Sequence, residues 1–470
     1  MSSWSRPPTG LEALEAAVRR DLDILDYPRR PWVLPHAQAA GAAVLDVLII
    51  GGGQGGQGAA FGLMREKVRN LLVVDENGPG QEGPWRTFAR MRTLRTPKYL
   101  TAIDFGIPSL TCRAWFEAQH GEAAWHALTF VPKETWADYL LWHRRVLSIP
   151  VRNHTRVTGL AWAADLACFV ADVAGGAPLR ARKVVLATGI DGSGRWETPP
   201  LVGALPARRY AHTRDPIDFP SLAGKRIGVL GAGASAFDNA VMALEAGALS
   251  VDLFYRRRDL PKVNPYRWAE FTGFLKHHGD LPDGARWRFI LEMLRMGQLP
   301  PRDTYLRATA FDAFRMHAAS PWNGVHEAPD GVRVETPTGA FTFDFVILGS
   351  GFVTDLSRRP ELGALLPHIA LWRDRFTPPS GEEHDDLGRH PYLGPGFELQ
   401  EKVPGEAPYL QGVFNYTFGC LPSLGFGGAS ISGLKYSLQR LVDGVTRQLY
   451  TESWEAYLAT LCAYNEVELP

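Results

Sequence analysis

The feature that most limits what this chain can become occurs twice: a short apolar strand, a glycine-rich turn and the start of a helix. The first copy runs from Val44 to Ile50 into Gly51-x-Gly53-x-x-Gly56, and the second from Arg226 to Leu230 into Gly231-x-Gly233-x-x-Ala236, 180 positions later. A nearly continuous apolar strand suits a parallel sheet covered on both faces. Behind it, one glycine permits a tight turn, a second lets a pyrophosphate approach the backbone, and a third small residue lets helix and strand pack closely. The free amides and dipole at the helix start favour the phosphate charge. Two such starts predict an α/β fold with two Rossmann-type dinucleotide-binding domains.

The end of the following strand separates the two sites. Leu71 to Val74 ends at Asp75, 24 residues after Gly51, where a carboxylate accepts from ribose hydroxyls; Glu76 is the neighbouring alternative. Val251 to Phe254 ends instead in Tyr255-Arg256-Arg257-Arg258. An acid there would repel a ribose 2′-phosphate, whereas guanidinium groups bind it bidentately. The first site is therefore predicted to hold FAD and the second NADPH, with Arg256 and Arg257 on the phosphate. Gln54 and Ser235, at the two helix starts, belong to the same cofactor-binding sets.

With 470 residues, 45% of them hydrophobic, the chain is long enough for two to three domains with full cores. Lys plus Arg equal Asp plus Glu at 50 each, so no overall field points to nucleic acid or an anionic membrane. Cys112, Cys168, Cys420 and Cys462 lie far apart. That spacing gives no zinc ribbon and no redox dithiol, predicts buried free thiols, and leaves no metal site to assign. No apolar run approaches the roughly 20 residues of a membrane span, and Asp21, Asp23 and Asp26 break any signal-type stretch. A soluble cytoplasmic protein is expected.

Leu11, Leu14, Val18, Leu22 and Leu25 recur at helical spacing and predict an N-terminal amphipathic helix within an extension over 1–43. The first part of the FAD domain is placed at 44–205, with short strands from Val151 to Val173 broken at Gly159 and a buried strand ending in Thr188-Gly189. The NADPH domain, inserted into the FAD domain, is placed at 206–335. The chain is expected to return to the FAD domain over 336–470, with Phe345 to Leu348 as its strand. Thr377 to Pro408 lacks periodicity and reads as a long surface loop or lid. Gly425-Phe426-Gly427-Gly428 then precedes a helix whose face carries Leu434, Leu438, Leu441, Val442, Val445 and Leu449. Trp85, Lys98, Tyr99, Trp115, Trp125 and Trp136 form an aromatic-rich region that serves as core or as a substrate wall.

These residues resemble the class B flavin-dependent monooxygenases, which include flavin-containing, N-hydroxylating and Baeyer–Villiger enzymes. The carriers are the turn at Gly51, Gly83-Pro84-Trp85-Arg86, Ala187-Thr188-Gly189, Leu222-x-Gly224-Lys225-Arg226 before the second turn, and Asp344 to Phe352. The resemblance implies that Trp85, Arg86, Thr188 and Gly189 join the cofactor-binding residues. It also implies that NADPH reduces FAD, that the flavin takes up O2 as a C4a-(hydro)peroxide, and that one oxygen atom passes to a small organic substrate. The family signature ahead of the second turn survives only as Tyr210-Ala211-His212, with Pro206 and Arg208 where Phe and Gly are expected. That departure argues against the Baeyer–Villiger subgroup and for oxygenation at nitrogen or sulfur, or for a separate branch of the family. His212 is the candidate catalytic residue, positioning the nicotinamide or linking domain motion to cofactor binding; a hydrogen-bonded loop histidine is the other use of such a residue. The alternative function is an NAD(P)H-dependent FAD reductase or oxidase without substrate oxygenation. Substrate identity and oligomeric state are not readable.

Overall fold

The computed structural model describes residues 9–28, 30–36, 43–101 and 103–469. The first apolar run forms the strand Leu45–Ile50 at the centre of a seven-stranded sheet. Its order is Val151–Arg152, Leu71–Val74, Leu45–Ile50, Leu179–Leu186, Cys168–Val173, Val157–Ala163, with Val413–Asn415 also paired to Leu179–Leu186. The parallel register puts Ile50 beside both Val74 and Leu186. The glycine turn, Asp75 and Ala187-Thr188-Gly189 therefore open at one edge of the sheet, beyond the carboxyl ends of its strands, where open α/β sheets bind ligands. Gly159 does not break its strand as expected: Val157–Ala163 runs through, with a register shift between Val157 and Gly159, as a bulge allows.

The second sheet is wholly parallel, in the order Phe314–His317, Ser250–Phe254, Arg226–Leu230, Phe345–Leu348, Tyr210–His212. Phe345–Leu348, expected in the first domain, lies beside Arg226–Leu230 in the second. The expected return at 336 falls at the last residue of Gly331–Thr336, which pairs with Gly324–Ala328 and Gly339–Phe343 in a three-stranded antiparallel sheet. The chain crosses back later. Gly194–Trp196 and Phe352–Thr354, one from each crossing, pair as a two-stranded antiparallel ribbon.

The helix Gln54–Arg65 carries four glycines, each costing up to about 1 kcal/mol relative to alanine in a helix interior. Packing explains two of them: a Cβ at Gly58 would stand 2.5 Å from Leu438, and one at Gly62 2.5 Å from Val442 and 2.6 Å from Phe105. The bare face lets the C-terminal helix Leu434–Thr451 approach closely, and Leu434, Leu438, Leu441, Val442, Val445 and Leu449 are all buried. The N-terminal helix, Leu11–Ile24, buries Leu14 and Val18.

Two further expectations change. The stretch 377–408 is no open lid: it holds the short helix Asp385–Gly388 and buries Leu387, Leu393, Phe397 and Leu399. Its buried apolar residues are too irregularly spaced to show a period in the sequence. Cys462 is exposed, while the other three cysteines are buried. Trp85, Trp115, Trp125 and Trp136 are buried and belong to the main core, whereas Tyr99 is exposed. Among the described residues, no helix is long and apolar enough to cross a membrane, and no group of His, Cys, Asp and Glu is placed to hold a metal ion.

Candidate functional site

Gly51 takes φ +110°, and a Cβ there would stand 2.5 Å from the Ala187 carbonyl oxygen. At Gly56 a Cβ would collide with the Gly51 carbonyl oxygen at 1.8 Å, so helix and turn touch only because residue 56 is glycine. At Gly53 the nearest atom to such a Cβ is 4.0 Å away, leaving room for a group to approach the backbone. The helix that opens there has no capping side chain although its first residues are buried. Buried, uncapped amides at a helix start make an anion site, and this one fits the pyrophosphate of FAD.

Asp75 is buried and braces the turn. Its Oδ2 accepts from the Gly52 amide at 2.7 Å, and its Oδ1 from the Asn77 amide at 2.8 Å. Glu76 is exposed and faces Arg156 at 3.6 Å. The Gln54 side chain is engaged by protein: its Nε2 donates to the Gly428 carbonyl at 3.3 Å, and its Oε1 accepts from Trp136 Nε1 at 3.2 Å. Only its backbone remains for a phosphate. The Arg86 guanidinium is paired with Asp138, and Trp85 is buried with its carbonyl accepting from Lys133 Nζ at 2.8 Å. Thr188 lies against Gly192, where any Cβ would overlap its Oγ1, and the Gly189 carbonyl accepts from the Phe418 amide at 3.1 Å.

The second turn repeats the geometry. Gly231 has φ +102°, and a Cβ there would stand 2.3 Å from the Gly349 carbonyl oxygen; at Gly233 nothing lies within 4 Å. Ala236 is buried against Gly349, while Ser235 faces solvent in the first turn of the helix Ala234–Glu245, which also lacks a capping side chain. The two arginines expected to share a phosphate are in different situations. Arg257 donates to the carbonyls of Met296 at 3.2 Å and Arg295 at 3.4 Å, closing the C-terminal end of the helix Asp283–Met296. Arg256 is exposed and makes no hydrogen bond or ion pair with any described residue.

His212 closes the edge strand of the second sheet, where the chain has just crossed between domains. Its ring is buried 5.4 Å from Trp196, its Nδ1 accepts from the Arg214 amide at 3.2 Å, and its own amide donates to Asp215 Oδ2 at 2.8 Å. Burial lowers its pKa against the opposing pull of Asp215, so the ring is neutral at neutral pH. The surroundings belong to the crossing: Trp196 Nε1 donates to Asp191, and Arg214 reaches Asp191 at 3.2 Å and lies over Phe88.

Sequence reasoning missed the charges that join the two domains. Arg95 pairs with the buried Asp238 on the helix of the second turn, and Arg92 reaches Glu245 on the same helix at 2.9 Å. Arg90 donates to the Asp215 carbonyl at 3.2 Å. Glu270, from the second domain, accepts from Ser432 at the start of the C-terminal helix at 3.1 Å. Arg90, Arg92, Arg95 and Glu270 are single charges outside any periodic pattern, so nothing in the sequence marks them as the partners of Asp215, Glu245, Asp238 and Ser432.

Residues 48–191 match the family model described as FAD-NAD(P)-binding. Over 459 residues the chain is 48% identical to the FAD-dependent urate hydroxylase of Xanthomonas campestris pv. campestris, covering 97% of each protein. In fold it is similar to the ornithine hydroxylase PvdA of Pseudomonas aeruginosa, with TM-score 0.67 and 16% identity over 87% of this chain and 100% of that one. It is similar also to the cadaverine monooxygenase DfoA of Erwinia amylovora, with TM-score 0.66 and 15% identity over 86% and 95% of the two chains. With two dinucleotide cradles and a relative this similar from end to end, the chain belongs to the family of the FAD-dependent urate hydroxylase, as an FAD- and NAD(P)-dependent oxidoreductase.

Proposed function

We propose that this protein hydroxylates urate, or an oxidised purine of the same shape, with NADPH as reductant and O2 as oxygen donor. The observation that carries this is the 48% identity to a urate hydroxylase across 97% of both chains, a match that extends far beyond one nucleotide domain. Bound FAD would supply the redox chemistry, taking a hydride equivalent from the nicotinamide and delivering one oxygen atom to the substrate while the other leaves as water. The chain's own residues bind and orient. Gly51, Gly53 and Gly56 hold the pyrophosphate over the uncapped amides of Gln54–Arg65, with Asp75 at the ribose end. Gly231, Gly233, Ser235 and Ala236 hold the second dinucleotide, and Arg256 meets its 2′-phosphate. Trp85, Thr188 and Gly189 border the first cofactor, and Arg86 holds the neighbouring loop through Asp138. His212, neutral and packed on Trp196, fixes the crossing between the domains without exchanging protons with substrate.

The test is the coupling of three quantities. Urate should stimulate NADPH oxidation by the FAD-loaded protein, with O2 and urate consumed one to one and one atom of labelled O2 recovered in the product. NADPH oxidation that ignores urate and returns all its electrons as hydrogen peroxide would refute the proposal.

A further inference from the structure

The segment 264–270 leaves the second nucleotide domain and reaches the start of the C-terminal helix of the first. Asn264 Oδ1 accepts from the amides of Tyr266 at 3.1 Å and Arg267 at 3.3 Å, which fixes the single turn Pro265–Trp268. Glu270 follows. Its Oε1 accepts from Ser432 Oγ at 3.1 Å, and that hydroxyl lies 3.2 Å from Thr96 Oγ1. Its Oε2 has Arg267 Nη1 at 3.2 Å, out of hydrogen-bond alignment, and is otherwise without a partner.

The Glu270 side chain is only 8% exposed. A carboxylate oxygen kept from water with no aligned donor is costly, and burial raises its pKa. The Arg267 side chain above it is 43% exposed, with its guanidinium over the Phe130 ring at 5.8 Å. Tyr266 stacks on the buried Phe426 of the glycine run, with ring centroids 5.7 Å apart, which anchors the segment there. Ser432 stands four residues beyond Gly428, whose carbonyl is bound to Gln54 at the opening of the pyrophosphate helix. Glu270 is thus carried by the second domain to the segment that follows the glycine run bound to Gln54.

We propose that Glu270 and Arg267 are the substrate-recognition pair, accepting an N–H and donating to the neighbouring C=O of a cyclic lactam edge such as a purine trione presents. This rests on the proposed urate chemistry and adds the residues that read the ring. The substrate N–H aligns on Glu270 Oε2, and the part-exposed guanidinium turns from the carboxylate to the adjacent carbonyl oxygen. Such a site rejects analogues that lack the donor, because its own buried acceptor is then left unpaired.

Calorimetric titration of the FAD-loaded protein without NADPH reads substrate affinity apart from turnover. Urate and its four mono-N-methyl derivatives are titrated into the wild type, Glu270→Gln and Arg267→Gln, with FAD content and melting temperature as folding controls. Glu270→Gln and Arg267→Gln should each weaken urate binding at least tenfold. One methyl derivative should bind weakly to the wild type yet lose nothing more in Glu270→Gln, because the same contact is already gone. Urate affinity within twofold of wild type in both variants, or an equal further loss on all four derivatives, overturns the pair and leaves urate hydroxylation standing. A wild type that ignores urate but binds xanthine, with that binding lost in Glu270→Gln, overturns urate as substrate and upholds the pair. A wild type that binds neither overturns both. If Glu270→Gln does not retain FAD, Glu270→Asp keeps the charge, shortens the reach and should show the same tenfold loss.

Discussion

The side-chain amide of Gln54 donates to the carbonyl of Gly428 at 3.3 Å, across 374 residues of chain. The bond ties the first turn of the helix Gln54–Arg65 to the glycine run ahead of the C-terminal helix, beside the packing of Gly58 on Leu438 and Gly62 on Val442. Gly428 has no latitude there, because a Cβ would stand 2.3 Å from the Tyr416 carbonyl oxygen. Gly428→Ala should therefore weaken FAD binding at least tenfold. Gln54→Leu, which leaves Gly428 and Trp136 unpaired, should cost about 1–3 kcal/mol of stability. Fluorescence of released FAD and thermal melts measure the two effects, and FAD retention equal to wild type in Gly428→Ala would count against this arrangement of the site.

The two glycines of the second turn should separate folding from binding. Gly231→Ala meets both a positive φ and a backbone oxygen at 2.3 Å, and should lose about 1–3 kcal/mol from the backbone strain alone. Gly233→Ala meets nothing within 4 Å, so the melting temperature should hold while the NADPH KM rises about tenfold, as a methyl group occupies the approach of the pyrophosphate. A Gly233→Ala protein with wild-type NADPH kinetics would show that the dinucleotide does not cross this turn.

Arg256 and Arg257 are adjacent in sequence but differ in what holds them. Arg256→Ala should raise the NADPH KM about tenfold with little change for NADH, the signature of a lost 2′-phosphate contact. Arg257→Ala should instead lower stability by about 0.5–1 kcal/mol, since it removes a cation from a helix C-terminus. Steady-state kinetics with both cofactors, beside melting curves, decide the matter, and equal effects of Arg256→Ala on NADPH and NADH would remove it from the phosphate site.

Four buried histidines, His143, His212, His278 and His390, should make the fold acid-labile. Burial pushes His143 down to about 3, and His278 and His390 each to about 4. In the unfolded chain each returns to about 6.5 and takes up a proton that the folded state refuses. Their contribution is therefore intact above about pH 6.5 and is lost on acidification, at about 1.4 kcal/mol per histidine per pH unit down to the folded pKa. The melting temperature should fall steeply from about pH 6.5 to pH 5. His143→Leu, whose ring nitrogens have no well-aligned hydrogen-bond partner to lose, should reduce that slope by about a quarter to a third. A slope unchanged in His143→Leu would mean that this ring is protonated in the folded protein.

The sequence alone determined the two nucleotide starts, the strand Leu71–Val74 to the residue and the C-terminal helix face. Each of these rests on local rules: apolar runs that must be buried, glycines where a Cβ collides, and a helical period that survives in a single chain. Tertiary structure decided the rest. Phe345–Leu348 is as apolar as any strand of the first sheet, and only its register with Arg226–Leu230 assigns it to the second. Arg257 was indistinguishable from Arg256 until the end of the helix Asp283–Met296 came within reach of one guanidinium. Glu270 and Ser432 stand 162 positions apart, and neither carries a pattern that predicts the other. Local sterics and periodicity are written in neighbouring residues, whereas register, charge pairing and the seam between domains depend on which surfaces meet after folding.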